Sequence, residues 1–323
     1  MTRIPLRITP ADTADTGRVV VEWIMSSVCN YACHYCPIYL HDNRVRWPDY
    51  DSVHRFTRTV AEHYRGRDIT FLLSGGEITL WPQLPRMAAD LRGLGIDVAV
   101  LSNGTRLQPW WATHAPAFDH VLLSYHHERA EPGHFRAVVD TIAATTSVDV
   151  NVVIDPAAFD TTMNLAATIQ AAGVAPVHRK IMFLDGWTRA ADYSPDQHTA
   201  LTAALATEAD QPGSRETALL KGDLDVEYLD GTHEVLTPSQ IIDTRANRWP
   251  GWTCNVGAES LFIRFDEIWP ASCREGGRIG SIFDNNLALP TAGITCTARS
   301  CNCIAGIKAT KSAPTAVHPL NPR

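Results

Sequence analysis

Short apolar runs alternate with longer amphipathic stretches between about Gly17 and Gly186. The apolar runs are rich in β-branched residues and are apolar on both faces, which is typical of strands in a parallel sheet that is covered on both sides. They are Val19–Met25, Ile69–Leu73, Val98–Leu101, Val121–Leu123, Val148–Ile154 and Arg179–Leu184. The pattern therefore predicts six parallel strands in series.

Helices are predicted between these strands, where apolar side chains recur at helical spacing. Three of them cover Asp51–Arg65, Leu84–Leu94 and Thr161–Ala172, and a glycine directly follows each one. Glycine after the last periodic residue is a C-cap signal. The repeated β-α units predict an α/β fold, either a barrel or a doubly wound sheet, and six units are fewer than the eight of a closed barrel.

The pattern changes in the last third of the chain. Short apolar segments flank two turn signals, Asp230-Gly231 and Asp266-Glu267, which predicts two β-hairpins. We therefore expect a β/α region over residues 17–210 and a small hairpin-containing module over residues 211–306. The tail over residues 307–323 is polar and contains prolines, so we expect it to be disordered.

The composition is that of an ordinary globular protein, with 323 residues of which 45% are hydrophobic and 20% are charged. The net charge is −7 and no long basic run occurs, so we expect no nucleic-acid partner. No apolar run approaches the ~18 residues of a membrane span, and the N-terminus has no apolar signal-peptide core. We therefore expect a cytoplasmic protein with no membrane partner.

The eight cysteines are distributed unevenly. Three lie between Cys29 and Cys36, five lie between Cys254 and Cys303, and none lies between these two groups. Disulfides are rare in the cytosol, where thiols more often bind metal or take part in chemistry. The clustering predicts two functional sites rather than scattered core cysteines.

The first group has the spacing C-x3-C-x2-C, formed by Cys29, Cys33 and Cys36 directly after the first predicted strand. Three thiolates in one loop can hold three irons of a [4Fe–4S] cluster and leave the fourth iron without a protein ligand. A zinc knuckle and a buried cysteine cluster are the alternatives. Zinc favours four ligands in two close pairs, whereas the next cysteine in this chain is Cys254.

This spacing, with Tyr35 before the last cysteine, resembles the signature of the radical S-adenosylmethionine (SAM) superfamily. Three segments after predicted strands are similar to SAM-contacting segments of that family: Ser74-Gly75-Gly76-Glu77, Ser102-Asn103-Gly104 and Ser124-Tyr125-His126-His127. The glycines would let the backbone approach a ligand closely. The resemblance implies cofactor contacts by Tyr35, Ser74, Gly75, Gly76, Glu77, Ser102, Asn103, Ser124 and Arg179.

The resemblance also implies a fold and a reaction. The fold is expected to be a partial (β/α)6 TIM-like barrel, which matches the number of predicted strands. An external one-electron reductant of the flavodoxin or ferredoxin kind is expected to reduce the cluster. SAM bound at the open iron would then be cleaved to methionine and a 5′-deoxyadenosyl radical, which would abstract a hydrogen atom from the substrate.

The second cysteine group resembles the twitch-type (SPASM-like) auxiliary-cluster module of the same superfamily. Cys254 and Cys273 bracket the second predicted hairpin, and Cys296, Cys301 and Cys303 follow it. The resemblance implies a second [4Fe–4S] cluster held by four of these five cysteines. A zinc site with four cysteine ligands is the alternative.

The resemblance further implies a natural-product substrate, either a small molecule or a ribosomal peptide, and an oxidised, dehydrogenated or cross-linked product. A redox-neutral epimerase with a cysteine hydrogen-atom donor is one alternative, and a non-catalytic metal-binding or electron-transfer protein is another. The candidate catalytic residues near the predicted rim are Tyr125, His126 and Asp185. Because His126 and His127 are adjacent, at most one of them is expected to face the cavity.

Overall fold

The computed structural model describes residues 3–186, 188–209, 220–301 and 304–314. Its strands are β1 (Pro5–Pro10), β2 (Val19–Ile24), β3 (Ile69–Ser74), β4 (Asp97–Ser102), β5 (His120–Tyr125), β6 (Ser147–Ile154), β7 (Val177–Ile181), β8 (Phe183–Leu184), β9 (Arg189–Ala190), β10 (Leu224–Tyr228), β11 (His233–Leu236), β12 (Thr253–Cys254), β13 (Ser260–Arg264), β14 (Glu267–Trp269), β15 (Gly280–Ser281), β16 (Ile294–Thr295) and β17 (Lys311–Ser312). Its helices are α1 (Tyr50–His63), α2 (Leu84–Gly93), α3 (Gln108–His114), α4 (Pro132–Ala143), α5 (Phe159–Ala172), α6 (Pro195–Ala209), α7 (Pro238–Asp243) and α8 (Ile304–Lys308). No helix within these ranges is both long and apolar enough to cross a bilayer.

The chain divides into two compact units. The β/α unit comprises Trp23–His54 and Phe71–Glu216. The terminal unit comprises Met1–Glu22, Arg55–Thr70 and Thr217–Arg323. This division differs from the predicted one, because the first 22 residues and a segment around the end of α1 group with the C-terminal part of the chain.

The six predicted strands are present as β2 to β7, and they follow one another across the sheet in chain order. The pairs β4–β5, β5–β6 and β6–β7 are all parallel. The predicted α/β fold with a parallel sheet is therefore confirmed. The last predicted strand is shorter than expected, since β7 ends at Ile181 and the chain then forms the small β8–β9 hairpin.

The hairpin begins where the hydroxyl of Tyr193 interrupts the strand. This hydroxyl accepts a hydrogen bond from the Met182 backbone N–H at 2.9 Å and donates to the Ile154 carbonyl at 2.5 Å. Met182 and Ala191 are buried against Cys33 and Tyr35 of the cysteine loop. The hairpin is thus packed onto the loop that carries the first cysteine group.

In the terminal unit, β1 pairs antiparallel with both β10 and β17. Both predicted hairpins are present, as the antiparallel pairs β10–β11 and β13–β14. Because β1 lies before residue 17 and pairs with C-terminal strands, the sequence pattern missed a strand at the start of the chain.

The expectation of disorder from residue 307 onward is wrong for residues 307–314, and the remaining residues of the tail lie outside the described part. Ile307 is fully buried, and Lys311 is 1% exposed. The Lys311 ammonium donates to the carbonyls of Gly306, Ile307 and Ala309 at 2.5, 2.9 and 2.7 Å. A lysine that satisfies the last carbonyls of a helix fixes that helix end, and the polar composition of the tail gave no sign of it.

Candidate active site

A single cavity of about 300 Å³ in the β/α unit collects most of the predicted site residues. This volume lies at the low end of the range for small-molecule sites, which is roughly 300–1,000 Å³. The cavity lies at the carboxyl ends of the parallel strands, where sites form in α/β proteins. Its predicted lining residues are Cys29, Cys33, Tyr35, Cys36, Ser74, Gly75, Gly76, Ser102, Asn103, Ser124 and His126.

The three cysteines of the first group are free thiols that all line this cavity. Burial raises the pKa of each thiol, to about 11 for Cys33 and about 12 for Cys36, and the rise is increased by neighbouring cysteines at Cys33 and Cys36 and by Glu77 at Cys29. Three desolvated thiolates in one short loop need a compensating positive centre, and bound metal supplies it. The donor set therefore fits an iron–sulfur cluster with three protein ligands.

Among the described residues, those of this loop included, no three His, Cys, Asp or Glu side chains lie close enough together to hold a single metal ion. The three thiols line the same cavity as the strand-end segments.

Gly75 and Gly76 form a tight turn that packs against the chain leading into the cysteine loop. Both have positive φ, at +106° and +50°. A Cβ on Gly76 would lie 2.0 Å from the Val28 carbonyl oxygen, and one on Gly75 would lie 2.7 Å from the Met25 nitrogen. The glycines are therefore required by the protein's own backbone on one side, while their other side lines the cavity. From the sequence, these glycines were explained only by the close approach of a ligand to the backbone.

Glu77 follows these glycines but is fully buried and does not line the cavity. Its carboxylate accepts hydrogen bonds from the Thr79 N–H and hydroxyl, from the Ser102 hydroxyl at 2.7 Å and from the Asn103 N–H at 2.6 Å. Burial raises the pKa of Glu77, and these donors oppose that rise. Glu77 thus positions Ser102 and Asn103 and is not among the lining residues, so its expected cofactor contact stays a prediction.

Asn30, between the first two cysteines, joins the cysteine loop to the end of β4. Its side-chain oxygen accepts from Asn103 Nδ2 at 3.0 Å, and its Nδ2 donates to the Thr105 hydroxyl at 3.0 Å. Asn103 Oδ1 in turn accepts from Thr105. The Asn103 side chain is therefore engaged in holding the loop, at the edge of the cavity that it lines.

On the opposite side of the loop, Tyr35 meets His126. The Tyr35 hydroxyl and His126 Nδ1 are 2.6 Å apart, and the two rings stack with centroids 5.8 Å apart. Burial lowers the pKa of His126 to about 4, so the imidazole is neutral at pH 7. The next residue, His127, instead lies with Nε2 3.6 Å from Asp155. One of the two histidines thus lines the cavity, in line with the alternation expected along a strand.

The structure places Tyr125 and Asp185 away from the cavity. Tyr125 is buried against Phe135 of α4, with ring centroids 5.2 Å apart. Asp185 is exposed at the turn of the β8–β9 hairpin, where it accepts a hydrogen bond from Arg189 at 3.0 Å. Tyr125 is on the helix-facing side of β5 and Asp185 is on a solvent-facing turn, so the cavity does not bring either together with the cysteine loop, and their catalytic roles stay predictions.

Arg179 also points away from the cavity. Its guanidinium donates twice to Gln170 Oε1 of α5, at 3.2 Å. The preceding His178 lies on the other face of β7, 3.3 Å from Asp149. The cavity therefore does not include Arg179, and its expected contact with the SAM carboxylate stays a prediction. A one-residue difference in position along a strand exchanges the two faces.

Several lining residues were not predicted. Leu40 and His41 follow the cysteine loop, and His41 Nε2 lies 3.2 Å from the Cys36 carbonyl oxygen. Met182 and Phe183 come from the start of the β8–β9 hairpin. Met182 and Phe183 were missed because the sequence gives no turn signal after β7, and the segment up to residue 184 was predicted as one continuous strand.

The second cysteine group is only partly brought together. Cys254 and Cys296 are buried in one apolar cluster, where burial and then the charge of Cys254 raise the pKa of Cys296. Cys301 is buried in a different cluster with Trp249. Cys273 is exposed, and Cys303 lies outside the described residues. A four-cysteine set is therefore not assembled within the described ranges.

A family model for the radical SAM superfamily matches residues 23–191, which is more than half of the chain. The chain belongs to the radical SAM superfamily. Membership implies a [4Fe–4S] cluster and SAM, and Cys29, Cys33 and Cys36 are the residues whose arrangement in this cavity fits that cluster.

Similar proteins agree with this family. An S-adenosylmethionine-dependent nucleotide dehydratase from Thermoplasmatales archaeon (strain ISO4-H5) is 33% identical over 98 residues, which is 30% of this chain and 33% of that protein. This radical SAM chain thus matches about a third of the length of that relative. The solved structure of anSMEcpe with bound AdoMet is 14% identical, with a TM-score of 0.54 over 83% of this chain and 78% of that one. A second anSMEcpe structure, which holds AdoMet and the Cp18Cys peptide, gives the same values. At this identity the likeness concerns the fold.

Proposed function

We propose that this radical SAM enzyme holds its [4Fe–4S] cluster through Cys29, Cys33 and Cys36 and abstracts a hydrogen atom from a natural-product substrate. The observation that carries the proposal is the shared cavity. The three thiols and the segments Ser74–Gly76, Ser102–Asn103 and Ser124 all line one cavity. When bound, the cluster supplies the electron that cleaves SAM to methionine and a 5′-deoxyadenosyl radical, which removes hydrogen from the substrate.

The residues that line the cavity form a polar set and an apolar set. The polar set comprises Ser74, Ser102 and Ser124, near the ends of β3, β4 and β5, and Asn103, directly after β4. Hydroxyl and amide groups suit the amino, carboxylate and ribose groups of SAM, because buried polar ligand atoms need hydrogen-bonding partners. We therefore assign the polar set to SAM.

The apolar set of lining residues comprises Leu40, Val153, Ile181, Met182 and Phe183. Apolar walls exclude water from a site, and exclusion of water protects a reactive intermediate from side reactions. Ile181 and Phe183 remain 39% and 42% exposed, so they border the opening of the cavity. We propose that the substrate enters past these two side chains.

For the net reaction we propose an oxidation, which gives a dehydrogenated or cross-linked product. It requires an acceptor for a second electron, and the proposed second iron–sulfur group is the candidate acceptor. Support for that group is confined to Cys254 and Cys296, which share one apolar cluster, so we assign no step to it. The redox-neutral alternative is an epimerase in which a cysteine returns a hydrogen atom.

The similar proteins suggest two substrate classes for testing. One relative is named as a nucleotide dehydratase, and one solved neighbour holds a peptide. We propose a small molecule or a peptide as the substrate, with nucleotides included among the small molecules. The proposed electron donor is a flavodoxin- or ferredoxin-like protein.

The test begins with anaerobic reconstitution of the wild-type chain and of the Cys29→Ala/Cys33→Ala/Cys36→Ala variant, followed by measurement of iron and sulfide per chain. About four irons that disappear in the variant support the proposed site, and about eight that fall to about four support a second cluster as well. Iron retained in the triple variant at the wild-type level contradicts the assignment.

SAM cleavage is then measured as 5′-deoxyadenosine formed by the reduced wild-type protein, alone and with panels of peptides, nucleotides and aminocyclitols. Formation that is lost in the triple variant supports the enzyme. A cluster-loaded protein that forms none with any panel supports the non-catalytic electron-transfer alternative. Single Ser variants of Cys254, Cys296 and Cys301 separate the product classes, because loss of iron marks a ligand whereas retained iron with stalled turnover marks a hydrogen donor.

A further inference from the structure

The turn after β5 binds the cysteine loop on both sides of its middle cysteine. The turn begins at His126, whose carbonyl accepts from the Arg129 N–H at 3.0 Å. Arg129 Nη2 donates to the Ala32 carbonyl at 3.1 Å. Glu128 Oε2 accepts from the His34 N–H at 3.2 Å, and Oε1 contacts the imidazole of His34. Two adjacent side chains thus bind the residues that precede and follow the middle cysteine.

The two bonded groups belong to the two peptide units that meet at the Cα of Cys33. The Ala32 carbonyl is part of the unit before it, and the His34 N–H is part of the unit after it. A peptide unit is planar, so a hydrogen bond to one of its groups helps to orient the whole unit. The unit after Cys33 is held a second time, because the Cys33 carbonyl accepts from the Cys36 N–H at 3.1 Å. When both units are oriented, φ and ψ of Cys33 are set, and with them the direction of its Cα–Cβ bond.

The outer two cysteines are held by a different part of the chain. The Cys29 N–H donates to Asn43 Oδ1 at 3.2 Å, and His41 Nε2 lies 3.2 Å from the Cys36 carbonyl oxygen. Asn43 and His41 both lie in the segment that follows the cysteine loop. Loss of the contacts from the turn after β5 should therefore leave these two contacts in place and disturb the middle cysteine first.

We propose that Glu128 and Arg129 are positioning residues for the [4Fe–4S] cluster, which fix the backbone of Cys33 so that its thiolate stays aimed at the cluster. This inference rests on the proposed function, because it takes Cys33 to be a cluster ligand. A ligand that is already oriented loses less freedom when it binds. Groups that orient a metal ligand from behind therefore strengthen the hold of the protein on its metal.

The opposite charges of the two side chains separate this effect from simple electrostatics. Glu128 carries a carboxylate and Arg129 carries a guanidinium, and both contact the same loop. A charge effect on the cluster would therefore have opposite signs when each residue is replaced by alanine. Loss of positioning has the same sign in both variants, since each replacement frees one peptide unit of Cys33.

The test measures the rate at which the anaerobically reconstituted protein, without SAM, loses iron to excess EDTA. Loss from Glu128→Ala and from Arg129→Ala is expected to be about fivefold faster than from the wild type, the effect of one hydrogen bond that contributes about 1 kcal/mol. Glu128→Gln keeps an acceptor for the His34 N–H, and it is expected to restore most of the retention. Arg129→Lys keeps a donor for the Ala32 carbonyl, and the same recovery is expected.

His127→Ala is the matched control, because His127 belongs to the same turn but lies beside Asp155. It is expected to lose iron at the wild-type rate. Equally fast loss from this control and from the two alanine variants would assign the effect to the turn as a whole and overturn the proposal. If a second cluster is present, only the phase of iron loss that is absent from the Cys29→Ala/Cys33→Ala/Cys36→Ala variant is compared.

Iron loss at the wild-type rate from both Glu128→Ala and Arg129→Ala, or changes of opposite sign in them, overturns the positioning role but leaves the proposed function intact. A wild-type protein that holds no cluster defeats the proposed function and this inference with it. If Glu128→Ala does not fold, Arg129→Ala and Arg129→Lys decide, and equal rates of loss from these two overturn the proposal.

One further measurement needs no variant. The His34 amide of the cluster-free wild type donates to Glu128, so it should exchange with solvent deuterium about tenfold more slowly than an unstructured amide. Exchange at the unstructured rate overturns the proposal as well.

Discussion

Replacement of Gly76 by alanine should damage both the fold and the cluster site, and the structure separates two causes. The first is the left-handed backbone, which costs an alanine about 1–2 kcal/mol. The second is a clash, since the new Cβ would lie 2.0 Å from the Val28 oxygen and 2.5 Å from the Val28 carbonyl carbon. Both of those atoms are backbone, so relief requires the chain to move.

Gly95 provides the matched control, because it has a similar positive φ of +74° and nothing within 4 Å of an added Cβ. Gly95→Ala should therefore show only the conformational cost, about 1–2 kcal/mol. Gly76→Ala should exceed it by about 1–3 kcal/mol, the usual cost of forcing atoms into a packed site. The displaced carbonyl belongs to Val28, directly before Cys29, so reconstituted iron should also fall.

The assay is urea unfolding of the cluster-free proteins under anaerobic, reducing conditions, with iron counted on separately reconstituted samples. Equal free energies of unfolding for Gly76→Ala and Gly95→Ala, together with wild-type iron in both, would refute the argument from close backbone approach.

Three further outcomes are expected. Glu77→Ala leaves the donors of Thr79, Ser102 and Asn103 without their buried acceptor. The free energy of unfolding, measured by urea titration, should therefore fall by about 2–4 kcal/mol, and an unchanged value would contradict the positioning role. Lys311→Met removes the donor to three carbonyls at the end of α8, and a loss of about 2 kcal/mol in the same assay is expected, with wild-type stability as the contrary result. Burial raises the pKa of Glu22 to about 7, and the charge of Lys308 opposes this rise. Because the folded state holds this proton more tightly than the unfolded state, the free energy of unfolding should decline as pH rises from about 4.5 to about 7. Glu22→Gln should lessen the decline. A decline of the same size in the variant would contradict this assignment.

The sheet could be predicted because strands that are covered on both faces consist of apolar, β-branched residues, and such runs are visible in the sequence. The cysteine triplet could be predicted to lie at a strand end, because it directly follows such a run. These signals are local and survive small errors in strand boundaries. The prediction missed α4 although its signals are present: Pro132 follows Glu131, whose side chain accepts from Gly133 and His134, and the buried residues Phe135, Val138, Val139 and Ile142 recur at helical spacing.

The direction of individual side chains was the part that the sequence could not give. Tyr125 and Arg179 were placed at the cavity because they lie near strand ends, but each faces a helix. A side-chain period of two makes such assignments sensitive to a single residue of register. Glu77 shows a different limit, since its four hydrogen bonds join two segments, 77–79 and 102–103, that only the folded chain brings together.

The pairing of β1 with β17 has a consequence for how the chain matures during synthesis. Arg7 is the register partner of Ser312, so β1 acquires this neighbour only after the long stretch of chain between these two residues has been made. Contacts between such distant residues form slowly because a long loop must close. On the ribosome, the terminal unit should therefore remain incomplete until β17 emerges. Truncation before residue 311 would leave an edge of β1 open to pairing with other chains.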